Sequence, residues 1–310
     1  MIADNVLEAI GNTPIVQLRK VVPSGSARVL VKLEFANPTG SMKDRMAKAV
    51  IERAEVDGRL RPGDTVVEYT GGTTGISLAF VCAAKGYRFH AVFSDAFSNE
   101  KRATMQAFGA KVTDVLSRNK MITENLIKEM IEKSRILSRQ PGHWWSDQLN
   151  NFDGVTGYFS LGEEIWNQTG GIINAFVQVV GSAHSINGVT KVLLQYNPAI
   201  HITAVEPTES AVLSGHPTGS HKIEGIGIGF VPPLWEPNLV KEIITVSTDE
   251  ANAMARRLAR EEGLFTGTSS GANVVAALRI AERLGSGSTV VTLLIDSGLR
   301  YISTDLYDNR

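Results

Sequence analysis

Short runs of β-branched and aromatic residues alternate with segments of helical hydrophobic period along almost the whole chain. This alternation constrains the fold more than any other feature of the sequence. The candidate strands are residues 29–33, 65–68, 89–93, 111–115, 175–180, 201–205, 243–246 and 289–294. Amphipathic segments between them include residues 46–54, 98–108, 160–169 and 248–262. The pattern predicts βαβ units, and therefore an α/β fold with largely parallel sheets.

The length of the chain leaves room for one large α/β unit or for two lobes. It has 310 residues, of which 43% are hydrophobic and 20% charged, as in ordinary globular proteins. No Gly/Ser-rich linker separates two halves, so we expect the chain to cross between lobes through ordered segments near residues 33–41 and 150–158.

The charge balance points to a small-molecule partner. The 31 basic and 32 acidic residues leave a net charge of -1, which gives no field that attracts nucleic acid or an anionic membrane. The N-terminus lacks the basic and apolar regions of a signal peptide, and no apolar run reaches membrane-spanning length. We therefore expect neither nucleic acid nor membrane as a partner.

The single cysteine and the histidines argue against a disulfide or a metal site. Cys82 lies in the apolar stretch F-V-C-A-A, which indicates a buried thiol and makes the reducing cytoplasm the natural compartment. The histidines show neither H-E-x-x-H nor paired Cys/His spacing, so we expect no metal. The nucleotide signature G-x-G-x-x-G also fails, because Phe230 occupies the last position of G-I-G-I-G-F.

Three passages share one local design, in which a strand runs through glycines and small hydroxyl residues into a helix. They are T-G-G-T-T-G within residues 65–86, G-S-A-H-S-I-N-G within 176–195, and T-G-T-S-S-G within 264–279. Such a turn exposes the free N–H groups and the positive dipole end of the helix, which favour an anion. One such turn is weak evidence, but three fit a ligand with more than one acidic group.

Residues 37–45 read N-P-T-G-S-M-K-D-R and place Lys43 on a turn at the start of a predicted helix. Most lysines are solvated surface charges, but the positive end of a helix disfavours an ammonium and so favours a reactive amine. Pyridoxal phosphate would use such an amine for its aldehyde, one cradle for its phosphate, and another for the carboxylate of its substrate. The sequence therefore predicts a pyridoxal-phosphate site.

The motifs in order along the chain resemble those of the cysteine synthase family, the fold type II pyridoxal-phosphate enzymes that include cystathionine β-synthase. The resemblance begins at I-G-N-T-P-I-V-Q-L and continues through the lysine motif and E-Y-T-G-G-T-T-G-I-S-L-A. It extends through V-G-S-A-H-S-I-N-G-V, G-I-G-I-G-F and I-D-S-G-L-R-Y-I-S-T, so it covers nearly the whole chain.

The resemblance implies a role for each matching residue. Lys43 would bind the cofactor and later remove the Cα proton of the substrate, and Ser297 would hydrogen-bond the pyridine nitrogen. A neutral hydroxyl there would leave that nitrogen unprotonated and weaken the electron sink. The other implied cofactor contacts are Thr73, Gly181, Ser182, Ala183, His184 and Ser185, with the turn at 187–188. The implied substrate contacts are Thr70, Gly71, Gly72, Thr73, Thr74, Gln148 and Gly225.

The chain departs from the family pattern at both loops. Tyr69, Gly71 and Thr73 stand where the family has proline, serine and asparagine, which predicts altered substrate binding. Ala183 and His184 replace two glycines of the phosphate loop. If either glycine position has a positive φ, the backbone there must shift or carry strain. For His184, a donor to the phosphate and a solvent-facing ring remain equal alternatives.

The implied architecture is the two-lobed fold of the tryptophan synthase β-subunit type, with residues 42–148 as the smaller lobe and 1–41 plus 149–310 as the larger. The implied reaction is β-substitution on an O-activated serine such as O-acetylserine, through an aminoacrylate, with sulfide or another small nucleophile. Two alternatives remain open at this point: a β-elimination lyase or dehydratase of the same fold, and a degenerate cofactor-binding paralogue. Family members are commonly homodimers, so a homodimer is expected.

Overall fold

The computed structural model describes residues 2–308, which contain two sheets flanked by helices. In chain order the strands are β1 (Ile15–Gln17), β2 (Arg28–Leu33), β3 (Thr65–Tyr69), β4 (Arg88–Ser94), β5 (Lys111–Val115), β6 (His143–Trp145), β7 (Ala175–Val179), β8 (His201–Pro207), β9 (Glu242–Val246) and β10 (Thr289–Leu294). The helices are α1 (Lys43–Val56), α2 (Thr73–Lys85), α3 (Asn99–Ala107), α4 (Glu124–Ser138), α5 (Asp153–Thr156), α6 (Phe159–Thr169), α7 (His184–Tyr196), α8 (Thr248–Arg257) and α9 (Thr268–Leu284).

The larger sheet has the strand order β1-β2-β10-β7-β8-β9 and the smaller sheet the order β5-β4-β3-β6. Every strand pair is parallel except β1 with β2, which is an antiparallel edge. The predicted α/β fold with parallel sheets is therefore confirmed. The short edge strands β1 and β6 are missing from the predicted set, because three residues show too little alternation to be recognised.

Both sheets are buried on their two faces, as parallel sheets normally are. All residues of β3, β7 and β10 are buried. One core cluster surrounds the larger sheet and includes Phe176, and a second surrounds the smaller sheet and includes Phe93. Cys82 belongs to this second core, where burial raises the pKa of its thiol, as its apolar setting predicts.

The ends of α8 illustrate how local sequence determines helix boundaries. Ser247 and Glu250 form the reciprocal capping box that their spacing predicts. At the other end the chain continues as a π-helical turn over residues 258–262, and Gly263, with φ of 72°, ends it in the left-handed conformation.

Within residues 2–308, no helix is long and apolar enough to cross a membrane. The same part of the chain contains no cluster of three or more His, Cys, Asp or Glu side chains able to hold a metal ion.

Candidate active site

A cleft at the carboxyl ends of strands from both sheets contains two adjoining chambers that open on Lys43. Residues shared by the two chambers are Lys43, Thr73, Gly181, Ser182, Gly225 and Ile226. The polar chamber is also lined by Met42, Val179, Ala183, His184, Ser185, Glu224, Ser269, Ile295 and Asp296. The apolar chamber is also lined by Tyr69, Gly71, Thr74, Phe97, Ile122, Ile127, Gln148, Leu149 and Ile228. Ligands of parallel α/β sheets bind at this edge of the strands.

Lys43 is the first residue of α1, and burial is the main influence on the pKa of its amine. The Ser41 hydroxyl accepts the Lys43 backbone N–H at 3.2 Å, which orients the start of the helix. Burial lowers the pKa of the Lys43 amine to about 8, and the charge of Asp296 opposes this fall. The neutral, nucleophilic amine is therefore accessible near neutral pH.

The two residues after Lys43 bind other parts of the protein and do not line the cleft. The Asp44 carboxylate accepts hydrogen bonds from the backbone N–H and the hydroxyl of Thr39, at 2.8 and 2.6 Å. The Arg45 guanidinium binds Glu34 in bidentate fashion and also pairs with Glu164 at 2.8 Å. These contacts hold the 39–45 segment in place.

The start of α7 leaves its backbone N–H groups open to the polar chamber. Its N-terminal flanking residue is Ala183, and no side chain caps the helix. Ala183 has φ of 67°, so the non-glycine residue carries the left-handed strain that the departure from the family pattern predicts. Gly181 permits a close approach of two backbones, because a Cβ there would lie 2.4 Å from the Gly225 carbonyl oxygen.

His184 neither faces solvent nor carries a charge. Its side chain is 1% exposed, and its Nε2 donates to the Asn151 carbonyl at 3.0 Å. Its Nδ1 then accepts from the Ser182 hydroxyl at 2.8 Å. Burial, followed by the charge of Lys43, lowers the pKa of His184 to about 3. The imidazole is therefore neutral and ties the 181–185 loop to the segment that precedes α5.

The 70–74 loop at the start of α2 is divided between structural and cleft-facing residues. The Thr70 hydroxyl accepts the backbone N–H groups of Gly72 and Gly75, each at 2.9 Å, so it organises the loop from inside. Gly72, with φ of 113°, packs against Lys101 and leaves no room for a Cβ. Neither Thr70 nor Gly72 lines the cleft, whereas Gly71, Thr73 and Thr74 do.

Gln148 lines the apolar chamber, and the buried Glu68 carboxylate anchors the segment that carries it. Its side-chain amide donates to the Tyr69 carbonyl at 2.7 Å, and its backbone N–H donates to Glu68 at 2.9 Å. Glu68 also accepts from the Ser146 hydroxyl at 2.6 Å. Burial raises the pKa of Glu68 to about 7, despite these donors.

At the carboxyl end of β10 the structure brings Asp296 into the cleft rather than the neighbouring Ser297. The Ser297 hydroxyl accepts the backbone N–H of Leu299 at 3.2 Å and lines neither chamber. Asp296 is 2% exposed and lines the polar chamber. The expected contact of Ser297 with a cofactor is thus not favoured by the position of its side chain.

Among the polar side chains of the polar chamber, sequence reasoning missed Asp296, Ser269 and Glu224. Ser269 lies in the first turn of α9, and among residues 2–308 its hydroxyl has no hydrogen-bond partner. The third glycine- and hydroxyl-rich passage, T-G-T-S-S-G, was the signal for Ser269. Asp296 stands in the I-D-S-G motif, where the local sequence does not tell which of two adjacent residues faces inward.

A buried lysine amine, an uncapped helix start and two parallel α/β sheets around one cleft define the class of pyridoxal-phosphate-dependent enzymes with this fold. The family model described as pyridoxal-phosphate dependent enzyme matches residues 6–296. A cysteine synthase from Staphylococcus aureus is 44% identical over 98% of this chain and 97% of the relative. The chain belongs to the cysteine synthase family of pyridoxal-phosphate-dependent enzymes.

Solved structures agree with this assignment. The cysteine synthase of Entamoeba histolytica is 38% identical with a TM-score of 0.91, over 99% of this chain and 91% of that one. The O-acetylserine-dependent cystathionine β-synthase of Helicobacter pylori is 35% identical with a TM-score of 0.92, over 99% of this chain and all of that one. The two-lobed fold type II architecture expected from the sequence is thereby confirmed.

The polar chamber fits the cofactor of this family. The α7 start offers uncapped N–H groups and hydroxyls for a phosphate, and Lys43 offers an amine for an aldehyde. One oxygen of Asp296, Oδ1, is buried and has no hydrogen-bond partner within residues 2–308, as expected where a ligand supplies the missing donor.

Proposed function

We propose that this protein catalyses β-substitution on an O-activated serine, of which O-acetylserine is the model, with sulfide as the nucleophile and cysteine as the product. The observation that carries the proposal is the placement of Lys43 where the uncapped start of α7 and the 70–74 loop meet in one cleft. The names of the relatives from Staphylococcus aureus and Entamoeba histolytica support the same reaction class.

The residues that line the cleft have distinct proposed roles in binding and proton transfer. Bound pyridoxal phosphate supplies an electron sink for the Cα of the amino acid. The Lys43 amine holds the aldehyde of the cofactor and then takes the Cα proton at its Nζ. The 181–185 loop binds the phosphate through its backbone N–H groups and the Ser185 hydroxyl, since the Ser182 hydroxyl donates to His184. Gly71, Thr73, Thr74 and Gln148 bind the substrate carboxylate, with Gly225 on the opposite wall.

The apolar chamber favours substitution over hydrolysis. Its wall includes Phe97, Ile122, Leu149 and Ile228, none of which can hydrogen-bond a water molecule through its side chain. A dry wall keeps water from the reacting β-carbon and leaves a soft nucleophile such as sulfide to add.

The test is to supply purified holoenzyme with O-acetylserine and sulfide and to quantify cysteine and pyruvate. We expect cysteine in large excess in the wild type. We expect a loss of about 10²–10⁴-fold in Lys43→Ala, the range typical of removing a general acid–base group. Lys48→Ala is the matched control, because Lys48 lies on the same helix but donates to the Leu7 carbonyl at 3.2 Å. Pyruvate without cysteine would reject substitution in favour of the lyase alternative.

We also propose that residues 42–148 form a smaller unit that closes over the substrate. All four strands of the smaller sheet lie within this range, from Thr65 to Trp145, which supports the division. Small-angle scattering of the holoenzyme with and without bound amino acid tests it: a smaller radius is expected with ligand, and identical curves would contradict closure.

For assembly and location we propose a homodimer in the cytoplasm. The family resemblance supports the dimer, and a single, buried, free cysteine is in keeping with a reducing compartment. Light scattering on the eluting protein is expected to give twice the chain mass of 33.5 kDa, and a monomer mass would contradict the dimer.

A further inference from the structure

We infer that Lys101 is a positioning residue for the amino-acid substrate, because it pairs with Glu224 across the cleft and holds the 70–74 loop in the shape that binds a carboxylate. The inference deepens the proposed function, since it rests on the same loop as the proposed substrate site. Lys101 itself lines neither chamber. Its effect on the reaction therefore passes through the loop.

The Lys101 ammonium is buried and has two partners outside α3. The residue is 1% exposed, its ammonium forms an ion pair with the Glu224 carboxylate, and its Nζ lies 4.5 Å from the centre of the Tyr301 ring. A buried ammonium is costly unless a partner compensates its charge. The two partners therefore fix the direction of the Lys101 side chain.

The 70–74 loop packs against the hydrocarbon stem of Lys101. Gly72 has φ of 113°, and a Cβ there would lie 2.6 Å from Cβ and 2.9 Å from Cγ of Lys101. The residues on either side of it, Gly71 and Thr73, line the cleft. Because the contact leaves no free space, the position of the stem determines where these two residues lie.

The partners of the ammonium belong to the opposite side of the cleft. Glu224 lines the polar chamber directly. The Tyr301 hydroxyl donates to Asp296 at 2.9 Å, and the same carboxylate oxygen accepts from the Thr73 hydroxyl at 3.3 Å. Lys101 therefore connects the substrate loop with the wall of the polar chamber.

A second attachment of α3 provides a comparison that does not involve the loop. The Glu100 carboxylate accepts the backbone N–H of Ser303 at 2.7 Å and also the hydroxyl of that serine. Like the Lys101 pair, this contact ties the start of α3 to a residue outside the range 42–148. Its partner lies outside the 70–74 loop, so loss of the Glu100 contact measures the effect of loosening α3 in general.

A loop that is already held in its binding shape does not have to be ordered when the ligand arrives. If the loop is released in Lys101→Met, each binding event has to immobilise it, and the affinity for the amino acid falls. The proposed phosphate site lies at the start of α7, and among residues 2–308 none that lines the polar chamber belongs to α3. We therefore expect the variant to bind the amino acid more weakly and the cofactor normally.

The first experiment titrates the holoenzyme with L-alanine, which has no β-leaving group, and follows the visible absorbance of the bound cofactor. We expect the dissociation constant to rise about tenfold in Lys101→Met and to stay within about threefold of the wild type in Lys101→Arg, which keeps the charge. In the matched control Glu100→Gln it is expected to stay within about twofold.

Three results of this titration would overturn the inference. They are equal constants in the wild type and Lys101→Met, a loss in Glu100→Gln or Lys101→Arg as large as in Lys101→Met, and an equally large loss of cofactor affinity in the Lys101→Met apoprotein. The last result would mean that the side chain supports the whole cleft and not the substrate loop.

A double-mutant cycle tests whether the effect depends on the pair with Glu224. Glu224→Ala is expected to weaken alanine binding by a similar factor. The double variant is expected to bind no more weakly than the weaker single variant, because each change removes the same pair. Losses that multiply would overturn the inference. If Lys101→Met does not fold, Glu224→Ala decides alone, and unchanged alanine affinity in that variant would overturn it.

Hydrogen exchange of the apoprotein measures the order of the loop without any ligand. The backbone N–H groups of Gly72 and Gly75 donate to the Thr70 hydroxyl, so they are protected while the loop keeps its shape. We expect faster exchange over residues 70–76 in Lys101→Met, with β7 unchanged, and no difference from the wild type in Glu100→Gln. Unchanged exchange over residues 70–76 in Lys101→Met would contradict the inference.

The outcomes separate this inference from the proposed function, because they measure binding and loop order. Weaker alanine binding in Lys101→Met, in a protein whose wild type makes no cysteine from O-acetylserine and sulfide, would reject the function and keep the role of Lys101. Full alanine affinity in Lys101→Met, in a protein whose wild type does make cysteine, would reject the role of Lys101 alone.

Discussion

The starts of α8 and α7 differ in whether a side chain accepts the backbone N–H groups that have no partner within the helix. At α8 the Ser247 hydroxyl accepts the Glu250 N–H at 3.3 Å, and the Glu250 carboxylate accepts the Ser247 N–H at 3.0 Å. At α7 the flanking residue is Ala183, which is left-handed and has no capping side chain. One helix start is thus satisfied by its own residues on the surface, and the other is left open in a cleft.

The difference shows that a similar composition can cap one helix start and leave another uncapped. Both helices begin after a strand, with small polar residues nearby. A capped start contributes to the free energy of folding, typically by about 1 kcal/mol. An uncapped start gives up that contribution, and a left-handed alanine adds strain, so an anion bound there would stabilise α7.

The strongest test of the comparison is Gly181→Ala. The added methyl group would meet the Gly225 carbonyl oxygen at 2.4 Å, and two backbone walls of the cleft would have to move apart. We expect cofactor affinity to fall at least about 100-fold, corresponding to overpacking of roughly 3 kcal/mol, as measured by titration of the apoprotein. Gly215→Ala is the control for left-handed strain away from the cleft, because its φ is 82° and its Cβ would meet nothing within 4 Å; its cofactor affinity is expected to stay unchanged. Unchanged cofactor affinity in Gly181→Ala would contradict the proposal that the cofactor binds at the start of α7.

The pH dependence of cofactor attachment tests the lysine at the start of α1. Burial lowers the pKa of Lys43 to about 8, so the folded apoprotein exposes the neutral amine progressively as the pH rises towards that value. The rate of attachment, followed by the visible absorbance of the bound cofactor, is expected to rise about tenfold per pH unit below 8 and to level off above it. A rate still rising steeply between pH 9 and 10 would indicate an ordinary lysine. Removing the charge in Asp296→Ser is expected to move the midpoint to lower pH.

Ser269→Ala examines a hydroxyl that faces the cleft without a partner in the described residues. Because the hydroxyl forms no hydrogen bond within residues 2–308, we expect the free energy of unfolding of the apoprotein to change by less than about 0.5 kcal/mol. Cofactor affinity is expected to fall about five- to tenfold, the equivalent of one hydrogen bond. A loss of stability with full affinity would mean that the hydroxyl serves the fold.

Ser247→Ala is the mirror experiment at α8 and has the smallest expected effect. Loss of the capping hydroxyl is expected to lower the free energy of unfolding by about 1 kcal/mol, measured by urea denaturation of the apoprotein. Cofactor affinity is expected to stay within twofold of the wild type. Ser247→Ala and Ser269→Ala together distinguish a serine that stabilises the fold from a serine that contacts the ligand. Equal changes in stability and affinity in the two variants would contradict this distinction.

Much of the fold followed from local patterns. The alternation of β-branched runs with helical periods predicted the strands of both sheets except the short edges, because burial on two faces selects apolar strands whatever their neighbours are. The capping box at α8 and the left-handed Gly263 were also local, since each depends on residues within one turn. The start of α1 at Lys43 lies near the predicted turn for the same reason.

The orientation of individual side chains could not be obtained this way. The His184 ring is held by Asn151, which is 33 residues away, and Thr70 turns inward to bind its own loop instead of facing the cleft. The choice between Asp296 and Ser297 depends on Tyr301 and on the strands that surround β10. By itself, the sequence determined the α/β class and the positions of Lys43 and of the glycine-rich turns at helix starts, because periodicity and turn chemistry act over a few residues. Only the tertiary structure decided which neighbours face the cleft, because that choice is made by packing against segments far apart in the chain.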